Sequence, residues 1–111
     1  MPRPAAELAR LDALPLEELM ARFPAEWRAV GEGLVAATAA GRPEAVEAFV
    51  RSARDAAATW RGRVEKSHGH PEVVAAALPR LAAARMARLA VERTLLAAAS
   101  GQAEGTLRLG R

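Results

Sequence analysis

Gly41-Arg42-Pro43-Glu44-Ala45-Val46-Glu47-Ala48-Phe49-Val50-Arg51-Ser52-Ala53-Arg54-Asp55-Ala56-Ala57-Ala58-Thr59-Trp60-Arg61-Gly62-Arg63-Val64 is the stretch on which the fold turns. Gly41 is a natural helix stop. Pro43 suits a first helical position, where its missing N–H leaves nothing unsatisfied. From there Val46, Phe49 or Val50, Ala53, Ala57, Trp60 and Val64 hold a spacing of three and four, an apolar stripe with the 3.6-residue period of a helix. The other face carries Glu44, Glu47, Arg51, Arg54, Asp55 and Arg61, with Glu47 and Arg51 in the favourable i,i+4 order.

Upstream, Pro24 opens a helix predicted to run to Ala40, on which Trp27, Val30, Leu34 and Ala37 repeat the spacing. Gly31 and Gly33 weaken it by about 1 kcal/mol each relative to Ala, and leave room for a second backbone to approach closely. Two amphipathic helices joined across Gly41 predict an antiparallel helical hairpin. Before it lie two short pieces, one with Leu8, Leu11 and Leu14 and one opened by Pro15, where Glu17 and Glu18 occupy the first turn that the helix dipole favours for acids.

Downstream, Ser67-His68-Gly69-His70-Pro71 ends the hairpin and starts a long helix, predicted from Pro71 to Ser100. Pro79 is expected to kink or split it, because proline lacks the N–H that the ladder needs. Gly101 is expected to close it, leaving residues 101–111 as a flexible tail; its Thr106-Leu107-Arg108-Leu109 also alternates as an edge strand would. The expected fold is therefore all-α: a single domain over residues 1–100, with a hairpin and a long C-terminal helix forming a small helix bundle.

Composition agrees. Of 111 residues 29 are Ala, the residue with the lowest helix cost, while Ile, Tyr, Cys and Asn are absent. The larger apolar side chains, 13 Leu, 8 Val, 3 Met, 2 Phe and 2 Trp, make a thin core to which a partner or a second copy of the chain could add burial. The absence of Cys excludes disulfides, thiolate metal sites and cysteine nucleophiles. No apolar run is long enough to span a membrane and the N-terminus lacks a signal-peptide core, so a cytoplasmic location is expected. The Ala, Arg, Gly and Pro bias suggests a GC-rich bacterial genome. Fifteen of the sixteen basic residues are Arg; residues 1–66 balance ten bases with ten acids, and the net charge of +3 comes from six Arg against three Glu beyond them. That is less than the usual nucleic-acid footprint.

Wound at 100° per residue, the last helix shows two surfaces. One is small: Ala83, Ala87, Ala90, Thr94 and Ala97, beside Met86. The other gathers Val74, Leu78, Leu81, Leu89, Leu95 and Leu96, with Arg85, Arg88 and Glu92 in the same sector. Two readings follow. In one, Arg88 and Glu92 pair at i,i+4 and the arginine stems cover the leucines at the edge of the core. In the other, the alanine face packs inside and Leu78, Leu81, Arg85, Arg88, Leu89 and Leu96 form a partner-binding face for another protein's helix.

Other constellations carry less. His68 and His70 are ligand types for Zn or Ni, but no third ligand stands at a regular spacing, so neither metal nor cofactor is expected. The pairs Glu17/Glu18 and Glu44/Glu47 complement helix dipoles without implying acid–base chemistry, and no phosphate loop, Ser/His/Asp order or HExxH is present. Trp27 and Trp60 lie on apolar stripes, as core anchors do. No catalytic residue is assigned.

Gly41-Arg42-Pro43-Glu44-Ala45-Val46-Glu47-Ala48-Phe49-Val50, followed by Leu78-Pro79-Arg80-Leu81 through Leu95-Leu96, resembles the small helical chaperones of flagellar export over about two thirds of the chain. There a glycine-containing turn leads into a second amphipathic helix, and a closing helix precedes a basic tail. The resemblance implies a chaperone that holds a partner's helical segment against the closing helix. The expected function is thus non-catalytic protein binding, as chaperone, adaptor or assembly subunit. The alternative is a small subunit of a nucleoprotein complex, resting Arg80, Arg85, Arg88 and Arg93 on phosphates.

Overall fold

In the computed structural model the backbone is described for residues 4–109 and side chains for residues 6–95. Five helices follow one another: α1 (Pro4–Ala13), α2 (Leu16–Arg22), α3 (Pro24–Ala39), α4 (Pro43–Lys66) and α5 (Pro71–Leu109). The described residues contain no strand, and the fold is an all-α bundle. Proline opens α1, α3, α4 and α5 and stands just before α2. Its fixed φ is already helical and its missing N–H is one a helix start does not use. The two N-terminal pieces are separate helices because Pro15 disfavours helical geometry at Leu14.

The chain reverses at Gly41, whose φ of 69° ends α3 in the left-handed region that glycine enters freely. Gly33, eight residues before the turn, then meets Phe49, eight residues after it. A Cβ on Gly33 would stand 2.8 Å from Phe49 Cε1, so this glycine admits an aromatic ring and not a second backbone. Gly31 has nothing within 4 Å of the corresponding point and plays no such part.

The far end of α4 closes with a Schellman motif. Gly69 N–H donates to the Val64 carbonyl and His68 N–H to that of Glu65, each at 3.0 Å. The left-handed position is held by His68, φ 54°, where glycine is the usual occupant. Ser67 Oγ donates to the Val64 carbonyl at 2.8 Å and accepts from His70 N–H at 3.2 Å. His70 then caps α5: its Nδ1 accepts from Glu72 N–H at 3.2 Å. The two histidines are thus committed to a helix junction.

α5 touches all four other helices and fills the middle of the bundle. Val74, Ala77, Leu81, Ala82, Ala84, Met86, Ala87, Ala90 and Val91 are all buried, and at 100° per residue they point in every direction around the axis. The expected division into an inner alanine face and an outer leucine face is therefore replaced by a helix buried in most directions, with Arg80 and Arg88 among the residues that open to solvent. Alanines let α3 and α4 approach closely, and Leu11, Leu16, Leu19, Val30 and Val64 complete the core from the neighbours.

Two further expectations change, the split at Pro79 and the stop at Gly101. Helical backbone continues through Pro79, whose ring is half-buried, and Ala75, whose carbonyl loses its partner to that proline, is exposed and open to water. It also continues through Gly101 and Gly105 to Leu109, so the helix stop at 101 and the strand reading of residues 106–109 give way to helix. Glycine lowers helix propensity by about 1 kcal/mol without forbidding the conformation. Side chains from Leu96 onward lie outside the described residues.

Candidate partner-binding groove

α4 and α5 run side by side in opposite directions, and the cleft between them is built from both. Its first half, about 400 Å³, is floored by Val46, Val50, Val91 and Leu95 and edged by Glu47, Arg51, Arg54, Arg88 and Glu92. The second half, about 260 Å³, continues past Ala57, Ala58, Leu81 and Ala84 to Asp12, Arg61 and Arg85. Arg54 and Arg88 line both halves, so the two adjoin at a pair of arginines contributed by α4 and α5.

The apolar floor follows from the stripe on α4, which Arg54 flanks, and from the buried residues of α5, among which Arg88 stands exposed. Val91 is buried, while Leu95 at 61% exposure is one of two large hydrophobic side chains left open among the described residues. The other, Val35, is on α3 and stands apart from the groove.

The arginines are not equivalent. Arg61 grips Asp12 through Nη2, at 2.7 and 3.0 Å from the two carboxylate oxygens, and joins α4 to α1. Arg85 is half-buried and donates to the Leu14 carbonyl through Nε at 3.2 Å and Nη2 at 3.0 Å. Arg93 reaches Glu17 at 2.6 Å and ties α5 to α2. Glu17's pKa is held below the ordinary carboxylate value by its own first-turn backbone N–H and then by Arg93, against a small opposing effect of desolvation. Arg51, Arg54 and Arg88 take part in no ion pair or side-chain hydrogen bond among the described residues. The i,i+4 pairs Arg88/Glu92 and Glu47/Arg51, suggested by their spacing, are likewise not closed there.

The residues proposed from sequence for partner binding separate into classes. Leu81 is 3% exposed and belongs to the core. Leu78 and Leu89 are half-buried against that core. Arg85 is spent on Leu14. Arg88 is exposed and lies in the groove. Leu96 falls outside the described side chains. The α4 wall, Val46, Val50, Arg51 and Arg54, was missed because its arginines read as a solvated face; the available signal was an arginine at the edge of the apolar stripe on α4 and another among the small apolar residues of α5.

Among the described residues no group of three or more metal-ligating side chains comes together, and no helix is long and apolar enough to cross a membrane. Trp60 is half-buried beneath Arg63, whose guanidinium carbon lies 4.4 Å from the ring centroid. No family model, curated protein or solved structure matches the chain.

Proposed function

We propose that this protein works by binding another protein, as a chaperone, adaptor or assembly subunit, and that it holds a helical segment of that partner in the α4–α5 groove. The observation that carries the reading is the combination of an apolar floor ending at exposed Leu95 with three arginines that form no ion pair among the described residues. Two antiparallel helical walls with an apolar floor are the setting in which a third helix packs. The resemblance to flagellar export chaperones supports the same role.

The nucleoprotein reading is less well supported by the arrangement of the arginines. Arg80 faces a different cleft, with Glu26 and Trp60, while Arg85 and Arg93 are engaged within the bundle. Of these four, Arg85 and Arg88 line the groove and Arg85 is engaged with Leu14, so together they present no track of phosphate contacts.

Photo-cross-linking tests the proposal. A cross-linker placed at Val46 or Leu95 should yield nuclease-resistant protein adducts in cells, whereas one at Val35, about as exposed as Leu95, should not. Equal adducts at all three positions would reject the groove as the binding surface.

A further inference from the structure

We infer that the groove is built for an acidic amphipathic helix, one that carries a carboxylate inside its apolar stripe; this rests on the groove reading above. Arg54 on α4 and Arg88 on α5 line both halves of the groove. The three carboxylates that border the groove do not neutralise them: Asp12 is held by Arg61, and neither Glu47 nor Glu92 forms an ion pair among the described residues. Two exposed arginines that line the same cavities from different helices, neither in an ion pair among the described residues, are complementary to a carboxylate, which accepts from guanidinium forks.

The surroundings choose a helix over a phosphate backbone. On one side of the arginines the floor is Val50 and Val91, on the other Ala57 and Ala84. Val50 and Ala57 are seven residues apart, two helical turns, with Arg54 one turn from the first. A matching segment therefore presents an apolar side chain, a carboxylate four residues later and a second apolar side chain after seven. The small floor at Ala57 and Ala84 leaves room for a leucine there. A nucleic-acid backbone has nothing to place on either apolar level.

The test uses the full chain and a fluorescent alanine-based helical peptide with two leucines seven apart and a glutamate between them. Its twins carry glutamine or lysine in place of that glutamate. The glutamate peptide should bind about tenfold more tightly than the glutamine twin. That preference should vanish in the Arg54→Gln/Arg88→Gln protein, and the lysine peptide should be preferred by Arg54→Glu/Arg88→Glu. Both arginines are exposed, and circular dichroism checks that each variant keeps its helices. Equal binding of the glutamate and glutamine peptides overturns the inference and leaves the groove reading standing. Absence of binding by every peptide, with cross-links still formed from Leu95, also overturns it. Binding of a short DNA duplex that needs Arg54 and Arg88 and falls steeply with salt would overturn it in favour of phosphate.

Discussion

Arg85 reaches back 71 residues to donate two hydrogen bonds to the carbonyl of Leu14, the residue that links α1 to α2. That oxygen follows the last residue of α1 and precedes Pro15, so no helical N–H is available to it. The guanidinium fork supplies what the backbone lacks and fixes the linker to the central helix. Arg85→Ala should cost about 1–3 kcal/mol, the range for a part-buried charge-assisted bond. Arg85→Lys should recover only part, because a single ammonium cannot reproduce the fork. Urea denaturation reads both; an unchanged midpoint in Arg85→Ala would show that the linker is held by packing alone.

Leu81 and Arg88 lie seven residues apart on α5 and should behave oppositely. Leu81→Ala removes a core side chain and should lose about 2–5 kcal/mol. Arg88→Ala removes an exposed one and should change stability by no more than about 0.5 kcal/mol. Thermal melts of the two variants test whether the exposed arginine is dispensable for folding.

Gly31 and Gly33 give a second contrast. Gly31→Ala meets open space and should stabilise α3 by about 0.5–1 kcal/mol. Gly33→Ala drives a methyl into Phe49 and should destabilise by about 1–3 kcal/mol, as overpacking does. Combining Gly33→Ala with Phe49→Leu should cost less than the sum of the two single changes, which a double-mutant cycle measures.

The α4–α5 junction places a histidine where a left-handed residue is required. His68→Gly should stabilise by about 0.5–1 kcal/mol once the relieved strain is set against the added freedom of the unfolded chain. His70→Ala should lose about 0.5–2 kcal/mol by removing the cap on Glu72 N–H, and His70→Asp should restore it. Chemical denaturation of the three variants checks the geometry at both ends of the turn.

Glu17 supplies a pH dependence. Its pKa in the folded chain lies below the ordinary value of 4.5, so the unfolded chain binds the proton first. The stabilisation is complete above that ordinary value and is lost as pH falls through the lowered one. NMR titration of the Glu17 carboxyl should show the depressed midpoint, and Arg93→Ala should move it upward. A midpoint that does not move would assign the whole effect to the backbone N–H of the first turn.

The hairpin was legible because α4 alternates its faces cleanly and because glycine and proline stand together at its turn. α5 was harder to read. The helical period points to one apolar side, whereas between Val74 and Val91 small or apolar residues occur in every direction, with arginines scattered among them. Its scattered charges suggested a binding face, whereas Arg85 is there to satisfy a distant carbonyl that no local pattern discloses. The groove was half visible: Arg88 was singled out, but its counterpart Arg54 becomes meaningful only when the opposite direction of α4 and α5 sets the two side by side.

The placement of α5 has a consequence for how the chain acquires its structure. The helix that every other helix packs against comes after all of them along the chain. During synthesis, α3 and α4 can pair as soon as the turn at Gly41 has emerged. Leu16 and Leu19 on α2 can settle on α3, but Leu11 on α1, a helix that packs chiefly on α5, has little surface to cover until Val74 to Val91 have followed. The first helix must therefore wait, with its core leucine in water, for a segment translated about sixty residues later.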